Sequence, residues 1–123
     1  MATVDITEET FEETIEKNDI VVVDFWAEWC GPCKSFAPIY EEVSNGYDDV
    51  VFGKIDTEAE QALGSHFQIR SIPTLMIFRE QVVLYAEPGM LTHSQLKEVI
   101  TKVQEVDMAA VHAEIAKKAD ENS

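Results

Sequence analysis

Two cysteines, Cys30 and Cys33, are the only ones among the 123 residues, and Gly31 and Pro32 separate them. They follow the apolar run from Ile20 to Trp26 and precede a stretch with helical periodicity, so they sit where a strand hands over to a helix. A helix N-terminus presents free N–H groups and a partial positive charge. Both favour a thiolate at Cys30 and make it a nucleophile near neutral pH. Pro32 suits a first helical turn, where its missing N–H is not needed. Gly31 leaves room for another backbone to approach the sulfur. Cys33 falls one turn inward, close enough to Cys30 for the two to close into a small disulfide ring. Half of a zinc site is the competing chemical reading. Tetrahedral zinc needs two more ligands, and His66, His93 and His112 are scattered without ligand spacing. An inert structural pair is the bland one.

Asp24 is the second candidate. It interrupts an otherwise apolar strand and shares a face with Val22 and Trp26 at a period of two. A carboxyl buried there is raised in pKa by desolvation, which makes it a candidate proton acceptor near a thiol. An outward-facing Asp on an edge strand is the alternative. Lys54, on the next strand, is the expected charge partner of Asp24, with a solvated surface lysine as the competing reading.

The elements that must position these groups follow from local pattern. Residues 7–17 read as a short helix with Phe11 and Ile15 on one face. Ile20–Trp26 is β-branched and nearly all apolar, as in a central strand covered on both faces. A helix is expected over 33–45, with Gly46 as its C-terminal cap. The strand Val50–Asp56 comes next, then a capping box over 57–60 opening a short helix. Residues 74–78 and 82–86 form an antiparallel hairpin. A second capping box, Thr92 to Gln95, opens a helix carrying Leu96, Val99, Ile100 and Val103. Alternating strands and helices imply an α/β fold: a central mixed β-sheet with helices on both faces.

Composition sets outer bounds. Nine basic residues stand against 24 acidic ones, a net charge of -15. Nucleic acid and anionic membranes are therefore not expected as partners, because both require a cationic surface. No signal peptide or membrane-spanning run is visible, so a cytoplasmic location is expected. There, a cysteine pair is more often chemical than structural. Seven acids fall within residues 1–19 and seven more within 41–60, away from the cysteines.

The segment Asp24-Phe-Trp-Ala-Glu-Trp-Cys-Gly-Pro-Cys-Lys34, followed by Ala37-Pro38, resembles the active-site segment of the thioredoxin family. Lys54, Arg70-Ser-Ile-Pro-Thr74 and Gly89 match further family positions in order, over about residues 3–105. The resemblance implies the thioredoxin fold and a protein-disulfide reductase. Cys30 would attack a substrate disulfide and Cys33 would resolve the mixed disulfide, with Asp24 accepting a proton and Lys54 modulating it. Pro73 would be cis. Trp29, Gly31, Pro32, Ile72, Pro73 and Gly89 would form the docking surface for disulfide-containing proteins. No cofactor or metal would be bound. Electrons would come from NADPH through a thioredoxin reductase, and the protein would be a monomer. A thiol oxidase or isomerase, and a redox-silent binding or chaperone subunit, are the alternative functions.

Three departures from the family pattern stand out. At Arg79-Glu-Gln-Val82 neither central residue favours positive φ, so a longer or distorted loop is expected. Glu87-Pro-Gly-Met90 brings a charge and a proline to the groove segment, and Ser35 replaces a larger residue. Beyond a domain of residues 1–105, residues 106–123 are rich in Ala, Glu and Lys. They read as a helical extension of the last helix, continuing the stripe of Val99, Val103, Val106 and Ala110. A helix docked on its own domain or a second copy, and a partner-binding arm, are the alternatives.

Overall fold

Runs of β-branched and aromatic residues build the sheet of the computed structural model, which describes residues 2–122. Met1 and Ser123, the outer bounds of the two expected segments, lie outside the described residues. The strands are β1 (Thr3–Asp5), β2 (Ile20–Trp26), β3 (Val50–Asp56), β4 (Thr74–Arg79) and β5 (Val82–Pro88). Their spatial order is β1-β3-β2-β4-β5, with β1, β3 and β2 parallel and β4 and β5 antiparallel. β2 is therefore central, as its nearly continuous apolar sequence predicts. β1 was not expected: it is three residues long, lies at the edge and is mostly exposed, so no apolar run marks it.

Helices α1 (Phe11–Lys17), α2 (Gly31–Ser44), α3 (Gln61–His66), α4 (His93–Glu105) and α5 (Met108–Glu121) complete the chain. Alternation along the strands splits the core in two. Val22, Phe52, Leu75 and Ile77 face Phe36 and Tyr40 of α2 and Leu96 and Ile100 of α4. Val21, Val23, Phe25 and Ile55 face Ile15 of α1 and Leu63 of α3.

Several expected boundaries move, each because a tertiary partner claims a group. Residues 7–10 form a turn before α1, with the Phe11 N–H bonded to the Thr7 carbonyl at 2.9 Å. The expected capping box over 57–60 does not form. The Thr57 hydroxyl donates to the Trp26 carbonyl at 3.0 Å, and Asp56 Oδ1 instead accepts from the Glu58 N–H at 2.9 Å. The helix begins four residues later. Gly46 does not take left-handed backbone; Asn45 caps α2, and the Gly46 N–H bonds the Val43 carbonyl at 3.0 Å. The Thr92 box forms in full, with side-chain and backbone bonds of 3.2 and 3.0 Å to Gln95.

Of the longer or distorted loop expected at the β4–β5 connection, the structure has the distorted form: a two-residue turn with no added length. Glu80 and Gln81 both adopt positive φ, +50° and +70°. Tertiary bonds hold them there: the Glu80 N–H donates to the Asp19 carbonyl at 2.8 Å, and the Glu80 carboxylate lies 2.9 Å from His112 Nε2. A register shift between Ile77 and Phe78 absorbs the rest of the distortion. Replacing Glu80-Gln81 with Asn-Gly is expected to stabilise the protein by about 1 kcal/mol, since these residues tolerate left-handed backbone. Urea unfolding checks this, and a lower midpoint would show that the His112 contact outweighs the strain.

The C-terminal segment is helical but does not continue α4. The chain turns extended at Val106, and Asp107 caps a new helix by accepting from the Ala110 N–H at 3.2 Å. Arg79 makes the break stable. One guanidinium nitrogen donates to the carbonyls of Val103, Gln104 and Val106 at 2.8, 3.0 and 2.8 Å. These are the acceptors an α-helix leaves open at its C-terminus. Met108 of α5 is buried, whereas Ala110, on the expected stripe, is exposed.

Candidate functional site

The C-terminal end of β2 delivers the cysteine pair to the start of α2. Cys30 is the N-cap residue, in extended conformation, and its sulfur accepts the Cys33 N–H at 3.2 Å. An anionic sulfur at this position faces a free backbone donor and the positive end of a 14-residue helix. Cys30 and Cys33 are joined as a disulfide, and each is nearly buried. Ala27, Trp26 and Ile72 pack around them. Gly31 and Pro32 are exposed at the first turn, and a Cβ on Gly31 would meet nothing within 4 Å.

The second wall comes from the segment leading into β4, the strand beside β2. The Ile72–Pro73 peptide is cis, and the Ile72 carbonyl oxygen lies 3.6 Å from the Cys30 sulfur. Gly89, just past β5, fixes this segment: its N–H donates to the Pro73 carbonyl at 2.8 Å. Its φ of +101° is one that residues with a Cβ avoid. Trp29 forms the exposed lip, 69% accessible, and its indole N–H donates to the Glu58 carboxylate. Trp29 and Ile72 share a cleft of 280 Å³ with Arg70. The sequence reading assigned Glu58 to a helix start, so its hold on Trp29 was missed; no local signal marks it.

Asp24 is fully buried on the central strand, which excludes the outward-facing edge reading. Neither carboxylate oxygen has a hydrogen-bond partner. Burial pushes its pKa from 3.8 up to about 7, and the positive charge of Lys54 pulls against that rise. Lys54 is directly opposite Asp24 in the β2–β3 register, half-buried, with Nζ 4.9 Å from the Trp26 ring centroid. It lines a separate opening with Asp5 and Asp56. All ten residues singled out in the sequence thus belong to one end of the sheet. Cys30, Cys33, Ile72, Pro73 and Gly89 are linked by direct contacts, and Asp24 and Lys54 lie behind them.

The histidines serve elsewhere. His93 pairs with Glu42, His112 with Glu80, and His66 packs on Phe67. Among the described residues, no group of three or more His, Cys, Asp or Glu could hold a metal ion, and no helix is long and apolar enough to cross a membrane.

Comparison with known proteins agrees with this geometry. The thioredoxin family model matches residues 2–119, so the likeness extends past residue 105 into α5. "Putative thioredoxin 2" of Streptomyces coelicolor is 49% identical over 117 residues, covering 95% of this chain and 87% of its own. A thioredoxin of Buchnera aphidicola is 39% identical, covering 79% and 92%. Among solved structures, a mutant thioredoxin from Halobacterium salinarum superposes with a TM-score of 0.78 at 30% identity, covering 85% of this chain and 92% of that one.

Proposed function

The chain belongs to the thioredoxin family and is a thiol-disulfide oxidoreductase, and from that premise we propose how its residues divide the work. The Cys30 thiolate attacks one sulfur of a substrate disulfide. A mixed disulfide forms on Cys30, and the other substrate sulfur leaves as a thiolate. Cys33 then gives its proton to the Asp24 carboxylate and attacks the Cys30 sulfur. The Cys30–Cys33 disulfide closes, the second substrate thiolate leaves, and two electrons have moved to the substrate. Lys54 keeps the Asp24 carboxylate accessible near neutral pH by opposing its burial.

The observation that carries this reading is the placement of the Cys30 sulfur between a helix N-terminus and the Ile72 carbonyl, 3.6 Å away. An extended substrate segment pairs with the Ile72 backbone as an added strand, over Trp29, Gly31, Pro32, cis-Pro73 and Gly89. The domain that ends at Glu105 carries this machinery, and Met108–Glu121 form the appended helix. Disulfide-bearing proteins are the substrates. A cytoplasmic thioredoxin reductase using NADPH returns the electrons, and no cofactor is held by this chain. A coupled assay tests the route. With insulin, thioredoxin reductase and this protein present, NADPH oxidation at 340 nm is expected to match the disulfides reduced. NADPH loss no faster than in the mixture lacking this protein would overturn it.

A further inference from the structure

Tyr40 sits in the apolar face of α2, fully buried, packed on Phe36 and Phe52. Its hydroxyl lies 2.7 Å from the Gly53 carbonyl of β3 and 3.0 Å from the Val22 carbonyl of β2. A hydroxyl has one proton, so Tyr40 shares it between two acceptors on neighbouring strands. Those two carbonyls both lie just before the rung on which Asp24 and Lys54 face each other, on its N-terminal side. Gly53 immediately precedes Lys54, and Val22 precedes Asp24 by one pleat repeat, about 7 Å, on the same face.

We propose that the Tyr40 hydroxyl is a positioning group for the proton that Asp24 exchanges: by sharing its proton between the two carbonyls, it screens their negative ends from the Asp24 carboxylate. On the sheet face that Asp24 shares with Val22, the other groups leave this task to Tyr40. From β3 comes the Lys54 cation, set back towards the Trp26 ring. From β4 comes Leu75, paired with Asp24 and apolar. From α4 come Leu96 and Ile100, also apolar. From α2 come Tyr40 and the two cysteines, the latter joined as a disulfide. The burial that raises the Tyr40 pKa, reinforced by the Asp24 charge, keeps the phenol protonated and able to donate.

This inference rests on the proposed role of Asp24 as proton acceptor, and the test separates the two. Tyr40→Phe keeps the ring and its packing but leaves the Val22 and Gly53 carbonyls without that donor. A carboxylate beside two unscreened carbonyl dipoles is disfavoured, so the Asp24 midpoint should rise. The readout is the side-chain carboxyl ¹³C shift of Asp24, titrated in the oxidised protein. An upward move of about half a pH unit is expected. From a midpoint of about 7, that corresponds to a resolving step about threefold slower at pH 6 and unchanged at pH 9. A midpoint equal to or below that of the unmodified protein overturns the proposal, as does an equal loss of rate at both pH values, which is what a purely structural role gives. If Asp24→Asn resolves mixed disulfides at the unmodified rate, the proton-acceptor role fails, while the carbon titration still decides the role of Tyr40.

Discussion

Cys30→Ser is expected to reduce insulin disulfides at the rate of buffer alone, a loss of about three orders of magnitude or more. The reason lies in what the helix start can stabilise. A serine oxygen at the N-cap accepts the same backbone N–H, so the fold keeps its cap. Its pKa is far too high for ionisation near neutral pH, and an alkoxide does not exchange with a disulfide. Cys33 cannot substitute: it lies inside the first turn of α2, past the N-cap that Cys30 occupies, and the Cys30 sulfur, not the Cys33 sulfur, faces the Ile72 carbonyl at 3.6 Å. The assay is turbidimetric insulin reduction with dithiothreitol. Activity above the dithiothreitol background in Cys30→Ser would place the nucleophile elsewhere.

Asp24→Asn is expected to make the protein more stable at pH 8 by up to about 4 kcal/mol, and to change little at pH 4. In the folded state the carboxyl ionises near pH 7, against 3.8 when freely solvated. Between these values the unfolded chain has already released its proton while the folded chain holds it. Stability from this group is therefore full below about pH 4, falls as pH rises through the interval, and levels off above pH 7. An amide has the shape of the protonated acid and no charge to desolvate, so the variant lacks this slope. The same substitution removes the proton acceptor, so mixed disulfides on the variant should resolve more slowly at neutral pH. Urea unfolding at pH 4, 6 and 8 checks the stability claim. A pH dependence identical in both proteins would mean that Asp24 ionises as if exposed. The site thus carries a stability cost for a base poised near neutral pH.

Much of this architecture was legible because the deciding interactions are local. β2 was readable from a nearly continuous apolar run of the kind a twice-covered strand carries. The Thr92–Gln95 box was readable because both partners lie within one turn. Cys30, Gly31, Pro32 and Cys33 declare a helix start and a redox pair within four residues, and Asp24 stands out as an acid inside that apolar run. Other features depended on distant partners. Thr57 has the sequence of a cap, yet its hydroxyl is taken by the Trp26 carbonyl 31 residues away. Glu80 and Gln81 form a tight turn because Asp19 and His112 hold them. The break between α4 and α5 rests on Arg79, which belongs to a strand. Asp107 caps α5, whereas the valine stripe on either side of it pointed to one long helix. Tyr40 looks like an ordinary core aromatic until its hydroxyl is found bridging two strands.

The central claim is that Cys30 makes the covalent bond to substrate and Cys33 releases it. Mixing reduced Cys33→Ser with a disulfide-containing protein, then mapping the adduct by non-reducing digestion and mass spectrometry, tests this most directly. A stable mixed disulfide on Cys30 is the predicted result. No adduct under conditions where the unmodified protein reduces the same substrate would contradict the account.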